Sequence, residues 1–327
     1  MKQKIKILII GLILISIAFH AVAGGQKEKK AGAKPEYVVY AVVHGGIGEP
    51  YWKKIEQGIK DAAALVPDLQ VVYVGPDVFN FEQFMSMLES ALTSKPDGLI
   101  ATMTNPPAME TSLRNAIKNG LPVMAIDSAD SRPLLERIPY ISYIGEISYE
   151  GGVLVAKEIL SRYRPKRVLY AIEQIGALNL VERGRGIVDV MKKAGVPTEI
   201  LETTEDPAQG AELVLSYLKA HPETDTFNAS ILLCEALVTR LEEEGIKPGK
   251  DIRISTFGLS EGIMAMMEQG KIDFSIDEQP YMQGFLGVTF MYLHLKYGFT
   301  PPSEIPTLGL FPKDISKLKD AVKKRIR

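Results

Sequence analysis

A chain of 327 residues with 46% hydrophobic and 24% charged side chains holds enough apolar material for one or two packed domains, and too much to remain disordered. Its formal charge of −2 disfavours a nucleic-acid partner, whose phosphates call for a basic face. A single cysteine, Cys234, excludes an intramolecular disulfide and any multi-cysteine metal site, and neither a metal nor another cofactor is expected.

The first 23 residues read as an export signal. Lys2, Lys4 and Lys6 form a basic start, Ile7 to Phe19 are apolar apart from Gly11 and Ser16, and Ala21-Val22-Ala23 has the small-x-small pattern of a cleavage site. The apolar run falls short of the roughly 20 residues that a spanning helix needs. No cysteine stands at the cleavage point, so a lipoprotein is not expected. Residues 24–35 are small, charged and non-periodic, as in a flexible spacer. A periplasmic or other extracytoplasmic location follows.

From Tyr37 onward, short β-branched runs alternate with stretches of helical period, the pattern of parallel sheets covered by helices. Strands are predicted at Tyr37–Val43, Leu69–Val74, Gly98–Thr102, Pro122–Ile126 and Ile141–Ile144. Between them, Tyr51, Trp52, Ile55, Ile59, Ala62, Ala63 and Val66 recur at three- and four-residue steps, as do Phe81, Phe84, Met85, Leu88 and Leu92. A third helix spans Ala108 to Asn119 and stops at Gly120. The cycle then resumes with helices at Gly151–Tyr163, Leu180–Ala194, Pro207–Ala220 (capped by Asp206), Leu232–Glu244, Glu261–Gln269 and Gln283–Tyr297. The strands of this half are Arg167–Ile172, Thr198–Glu202, Thr226–Ala229, Ile252–Phe257 and Ile272–Ile276. This gives two comparable α/β blocks, breaking near Gly145 with a return near Asp277 to Pro280.

In open parallel sheets, ligands bind beyond the carboxyl ends of the strands. That rule selects His44 to Trp52 after the first strand, Thr102, Thr104 and Asn105 after the third, and Asp127 and Ser128 after the fourth. In the second block it selects Glu173, Gln174, Glu278 and Gln279, with Arg183 near a helix start. Asp127 offers lone pairs to hydroxyls and Arg183 a forked donor, while Tyr51 or Trp52 can cover the C–H face of a sugar ring. Gly45-Gly46-Ile47-Gly48 has neither GxGxxG spacing nor a P-loop ending, which disfavours nucleotide binding. Gly258-Leu259-Ser260-Glu261-Gly262 is a GxSxG between strand and helix, the context of a nucleophile elbow. With Asp273 or Asp277 and His294 downstream it makes an exported serine hydrolase the minor alternative.

The chain resembles the exported type I periplasmic binding proteins of the ribose-binding class, which serve ABC sugar importers. The resemblance covers the whole chain beyond the signal. It rests on Glu49-Pro50-Tyr51-Trp52, Lys95-Pro96-Asp97-Gly98-Leu99-Ile100, Gly120-Leu121-Pro122-Val123 leading to Asp127, Gly151-Gly152, Glu182-Arg183-Gly184 and His221-Pro222. It implies two Rossmann-like lobes with parallel sheets joined by a three-strand hinge, residues 36–144 plus 280–306 forming one and 145–279 plus 307–327 the other.

The implied ligand contacts are Tyr51 and Trp52 as ring-stacking walls, Asp127 as hydroxyl acceptor, Arg183 as donor from the opposite lobe, and Thr102 as a strand-end polar contact. Glu49, Asn105, Asn228, Ser230 and Glu278 complete the expected site. Four positions depart from the family pattern: Glu49 replaces Asn, Ser230-Ile231 replaces Asn-Asp, Gly258 replaces Asp, and Glu278 replaces Gln. The expected function is therefore a monomeric receptor that delivers a hexose, pentose, cyclitol or other polyol to membrane permease subunits. An amine-bearing sugar is the variant that the added charge of Glu49 and Glu278 suggests. A sugar-like signal receptor feeding a sensor or chemotaxis protein is the alternative, and transcriptional control is disfavoured by the export signal.

Overall fold

The structure, a computed structural model, describes residues 35–301, 308–310, 313 and 315–325. The expected export signal and nearly all of the spacer lie outside the described residues. The first sheet holds β1 (Tyr37–Val42), β2 (Leu69–Val74), β3 (Gly98–Ala101), β4 (Val123–Ile126) and β5 (Tyr143–Ile144) in the order β2-β1-β3-β4-β5, with every pairing parallel. The second holds β6 (Val168–Ile172), β7 (Thr198–Glu202), β8 (Thr226–Ser230), β9 (Arg253–Phe257), β10 (Phe274–Asp277) and β11 (Leu308–Leu310) in the order β11-β10-β9-β8-β6-β7. Only the edge strand β11 runs antiparallel there. Because β3, β4 and β6 are covered on both faces they are buried throughout, which is why their sequences are runs of apolar residues rather than alternating patterns.

Among the described residues, ten helices cover the sheets. In the first half these are α1 (Pro50–Ala64), α2 (Phe81–Thr93) and α3 (Pro106–Lys118). In the second they are α4 (Ser148–Arg162), α5 (Leu178–Lys193), α6 (Pro207–Ala220), α7 (Ile231–Glu243) and α8 (Glu261–Glu268). The chain then returns to the first sheet, where α9 (Pro280–Tyr297) packs on α1 and β4, before β11 and α10 (Ile315–Lys323) rejoin the second. The backbone thus passes between the sheets after β5, between β10 and α9, and between α9 and β11. Each sheet carries apolar core on both faces: Val39, Ile55, Met124 and Met291 on one side of the first with Phe84, Leu99 and Leu113 on the other, and Phe227 and Leu237 opposite Ile159 and Phe274 in the second.

Most predicted elements fall within two or three residues of those observed, and the shifts have local causes. Helix α3 starts at Pro106 because the Asn105 side chain accepts the Ala108 N–H, and α9 starts at Pro280 because proline suits the first helical position. The predicted Asp206 cap is present, accepting the Gln209 N–H at 2.9 Å. Two close helix crossings set the frame of the molecule. A Cβ at Gly58 of α1 would strike the Tyr281 carbonyl of α9, and one at Gly152 of α4 would strike the Arg183 carbonyl of α5. The second crossing fixes the helix that carries the cleft arginine.

Candidate functional site

The carboxyl ends of both sheets face one cavity of about 90 Å³, room for several water molecules or a small polar solute. The first half supplies His44, Glu49, Tyr51, Trp52 and Asp127 to its wall. The second supplies Glu173, Gln174, Asn179, Arg183, Thr204, Glu205, Ser230, Phe257 and Glu278. Three helices begin there, at Pro50, Pro207 and Ile231. Their leading N–H groups and positive dipole ends point toward the ligand space.

Asp127 is the anchor of the first half. Its backbone sits in the left-handed region at φ 63°, a conformation that costs a non-glycine residue free energy and persists only where the surroundings impose it. One carboxylate oxygen accepts the Tyr51 hydroxyl and the other the Ser128 hydroxyl, both at 2.7 Å. The Tyr143 hydroxyl donates to the Asp127 carbonyl at 2.8 Å. Burial raises the Asp127 pKa, while the Tyr51 and Ser128 hydrogen bonds and the Arg183 charge pull it back. Trp52 lies edge-on to both His44 and Tyr51, with ring centroids 4.9 and 5.2 Å apart. His44 is buried, which drives its pKa down to about 3 and keeps it neutral. Its Nδ1 pairs with the Thr102 hydroxyl at 2.8 Å.

Arg183 is the anchor of the second half. Its Nη2 donates to Glu146 and to Glu278, residues of the two successive crossings between the sheets. The guanidinium lies over the Phe257 ring, 3.8 Å from its centre. All three charged groups are buried. Desolvation pushes the carboxyl pKa values of Glu146 and Glu278 up, and the Arg183 charge opposes it. The cleft lip is held by direct bonds: the Leu178 N–H donates to the Thr104 carbonyl at 2.9 Å, and Lys54 of α1 donates to the Leu259 carbonyl beyond β9.

Of the residues expected at the site, Glu49, Tyr51, Trp52, Asp127, Arg183, Ser230 and Glu278 line this cavity, whereas Thr102, Asn105 and Asn228 do not. Thr102 is fully buried and its hydroxyl serves His44. Asn105 caps α3 and reaches the Gly176 carbonyl at 3.4 Å, at the lip rather than in the cavity. Asn228 is buried against Ser255, 2.9 Å away.

Sequence reasoning missed Glu146, Asn179, Thr204, Glu205 and Phe257. Glu205 follows β7 and Glu146 follows β5, so the strand-end rule applied to those two strands would have found them. Phe257 is the last residue of β9 and carried an apolar signal indistinguishable from core.

The GxSxG serine is committed to structure. Ser260 caps α8 by accepting the Ile263 N–H at 2.9 Å and donates to Glu235. His294 lies with Tyr37, Asp97 and Pro122, by the amino ends of the first sheet's strands. It is therefore on the wrong sheet, and at the wrong end, to serve Ser260. Among the described residues, no group of three His, Cys, Asp or Glu side chains comes together as metal ligands do.

The sequence matches the periplasmic binding protein domain over residues 40–298. It is similar to the xylose/arabinose-binding protein XylF of Sulfolobus acidocaldarius, at 26% identity over 81% of this chain and 68% of that protein. It is also similar to the ribose import binding protein RbsB of Bacillus subtilis, at 22% identity over 88% and 91% of the two chains. Among solved structures, a carbohydrate transporter of Acidothermus cellulolyticus in complex with myo-inositol superposes with a TM-score of 0.80 at 19% identity, covering 90% of this chain and 100% of that one. Two sheets of parallel strands facing one cleft agree with that fold, and the family match spans most of the sequence. The chain belongs to the periplasmic binding protein domain family and has its two-lobed type I fold.

Proposed function

We propose that this protein is an extracytoplasmic receptor that binds a small sugar or polyol between its lobes and presents it to the permease of an ABC importer. The observation that carries this reading is the single cavity at the carboxyl ends of both sheets, walled by carboxylates, one guanidinium and aromatic rings drawn from both halves. A polyhydroxylated solute must recover the hydrogen bonds it leaves in water, and Asp127, Asn179, Arg183, Thr204 and Ser230 offer acceptors and donors for that purpose. The rings of Tyr51, Trp52 and Phe257 provide faces for its C–H surface. The solutes named for the relatives, xylose, arabinose, ribose and myo-inositol, are of this chemical kind.

In this reading the lobes comprise residues 36–144 with 280–306 and 145–279 with 307–327, and the protein acts as a monomer. Ligand bound to both lobes stabilises the closed form, which is the form a membrane partner reads. No bond is made or broken, in keeping with Ser260 being held as a helix cap.

The test is a thermal-shift screen of the full chain against pentoses, hexoses, cyclitols and their amino derivatives, followed by calorimetry on the hits. A ligand at a hundred times its Kd raises stability by about 2.7 kcal/mol through mass action. The reading expects at least one such hit, weakened by Asp127→Ala. No stabilisation by any member of the panel, with the protein folded, would refute it.

A further inference from the structure

We propose that the cleft selects a polyhydroxylated ligand carrying a protonated amine, an amino sugar or aminocyclitol, over its neutral parent. The inference rests on the cleft being the ligand site, as argued above, and adds the charge of what enters it.

The charge of the wall is one-sided. Glu49, Asp127, Glu173, Glu205 and Glu278 line the cavity, and among the described residues the one cationic side chain in its wall is Arg183. That guanidinium is ion-paired with Glu278 and Glu146, and it acts on Asp127 and Glu173 only through its field. His44 is held neutral by burial. The buried Lys54 ammonium is directed to the Leu259 carbonyl and is not part of the wall.

Among the described residues, Glu49, Glu173 and Glu205 make no ion pair, and Glu205 Oε1 is buried without a hydrogen-bond partner. Glu49 comes from the first lobe; Glu173 and Glu205 follow β6 and β7 in the second. The charge of Glu49 reaches both others, and that of Glu173 reaches Glu205. Glu173 is pushed up to about 7 by burial, with a backbone hydrogen bond and the Arg183 charge opposing and Glu49 adding, and Glu205 to about 8 by burial and then by Glu49 and Glu173. Glu49 itself stands at about 7, mainly through burial.

Ionised together these desolvated groups would repel, so near pH 7 they are held partly protonated, and a cation entering the cleft would draw them into their charged forms. A neutral sugar needs one or two carboxylates as hydroxyl acceptors and would leave the others unpaired. An ammonium group in the cavity would bring an opposite charge and donors to whichever of these carboxyls it meets. A metal ion is a poor candidate for this role, since the side chains do not converge as ligands do. The helix ends at Pro50, Pro207 and Ile231 contribute about half a positive charge each. They ease the burial of these carboxyls without cancelling them, as the raised pKa values show.

The experiment compares each neutral solute with its amine at pH 7 by calorimetry: D-glucose with D-glucosamine, D-galactose with D-galactosamine, myo-inositol with an aminodeoxy-inositol. N-acetyl-D-glucosamine serves as the charge-free control. At least one amine should bind about tenfold or more tightly than its parent, corresponding to one added ion pair. N-acetylation should remove the gain. Glu49→Gln and Glu205→Gln should each lower the ratio of amine to parent affinity severalfold, with circular dichroism confirming the fold.

Parents that bind as tightly as the amines throughout would overturn the inference while leaving the polyol receptor standing. An amine preference unmoved by both substitutions would overturn it as well. Failure of amines and parents alike would remove the polyol reading and this inference together.

Discussion

The Tyr51 hydroxyl donates to the Asp127 carboxylate at 2.7 Å, tying the start of α1 to the end of β4 before any ligand arrives. Gln283 of α9 reaches the same Tyr51 oxygen at 3.3 Å and the Glu278 carbonyl at 2.8 Å. One chain of hydrogen bonds therefore joins the first lobe's half of the site to the second crossing between the lobes. Preorganisation of this kind lowers the ordering cost of binding.

Substitution of this pair should separate its two roles. Asp127→Ala is expected to weaken binding of the best solute from the screen by about 1.5–3 kcal/mol, since a charged hydrogen-bond partner is lost. Tyr51→Phe should cost less, about 0.5–1.5 kcal/mol, because the carboxylate keeps Ser128 and the ligand. Calorimetric titration of both variants checks the order.

Arg183→Met should destabilise the fold by about 3–5 kcal/mol near neutral pH, as Glu146 and Glu278 would be left as buried, uncompensated charges. The loss should shrink as pH falls, because protonation of both carboxyls removes the charge. Urea unfolding at pH 7.5 and pH 5.5 measures the difference, and an equal loss at both values would contradict the charge argument.

The ligand-free protein should melt at a lower temperature at pH 8 than at pH 6.5. Glu49, Glu173 and Glu205 have folded pKa values of about 7, 7 and 8, above those of the unfolded chain near 4.3. Between the two sets the folded state binds more protons, so its stability is present at low pH and declines as pH rises through 7 and 8. The neutral, buried His44 acts in the opposite direction only below about 6.5. Lys54, lowered to about 8 by burial, adds stability only as pH rises above that value. The interval from 6.5 to 8 therefore isolates the carboxyls, and Glu205→Gln should flatten the slope in a melting series.

Trp52, the sole tryptophan of the chain, lies in the cavity wall beneath Tyr51. Ligand entry should shift its emission, and titration followed at that wavelength should return the calorimetric affinity. An unchanged spectrum at saturation would mean that the solute does not reach the Tyr51–Trp52 wall.

Much of the architecture was legible because its causes are local. Apolar runs such as Gly98–Ala101 and Val168–Ile172 mark strands covered on both faces, and the three- and four-residue steps of α1 and α2 mark one buried stripe each. That Asp127, Tyr51 and Arg183 line one cavity was legible because strand ends and the helices that follow them converge in this class of sheet. Thr102 satisfied the same rule, yet its hydroxyl turned to the buried His44, a contact 58 residues distant in sequence.

By itself, then, the order of amino acids determined the alternation of strand and helix, the two α/β blocks and most of the strand-end residues, because backbone hydrogen bonding and side-chain periodicity act over a few residues. Tertiary structure alone decided that Arg183 is shared by Glu146 and Glu278, 37 and 95 positions away. It alone gathered Glu49, Glu173 and Glu205 around one cavity. Charge interactions and desolvation depend on distance and burial in the folded molecule, and neither quantity is written in local sequence.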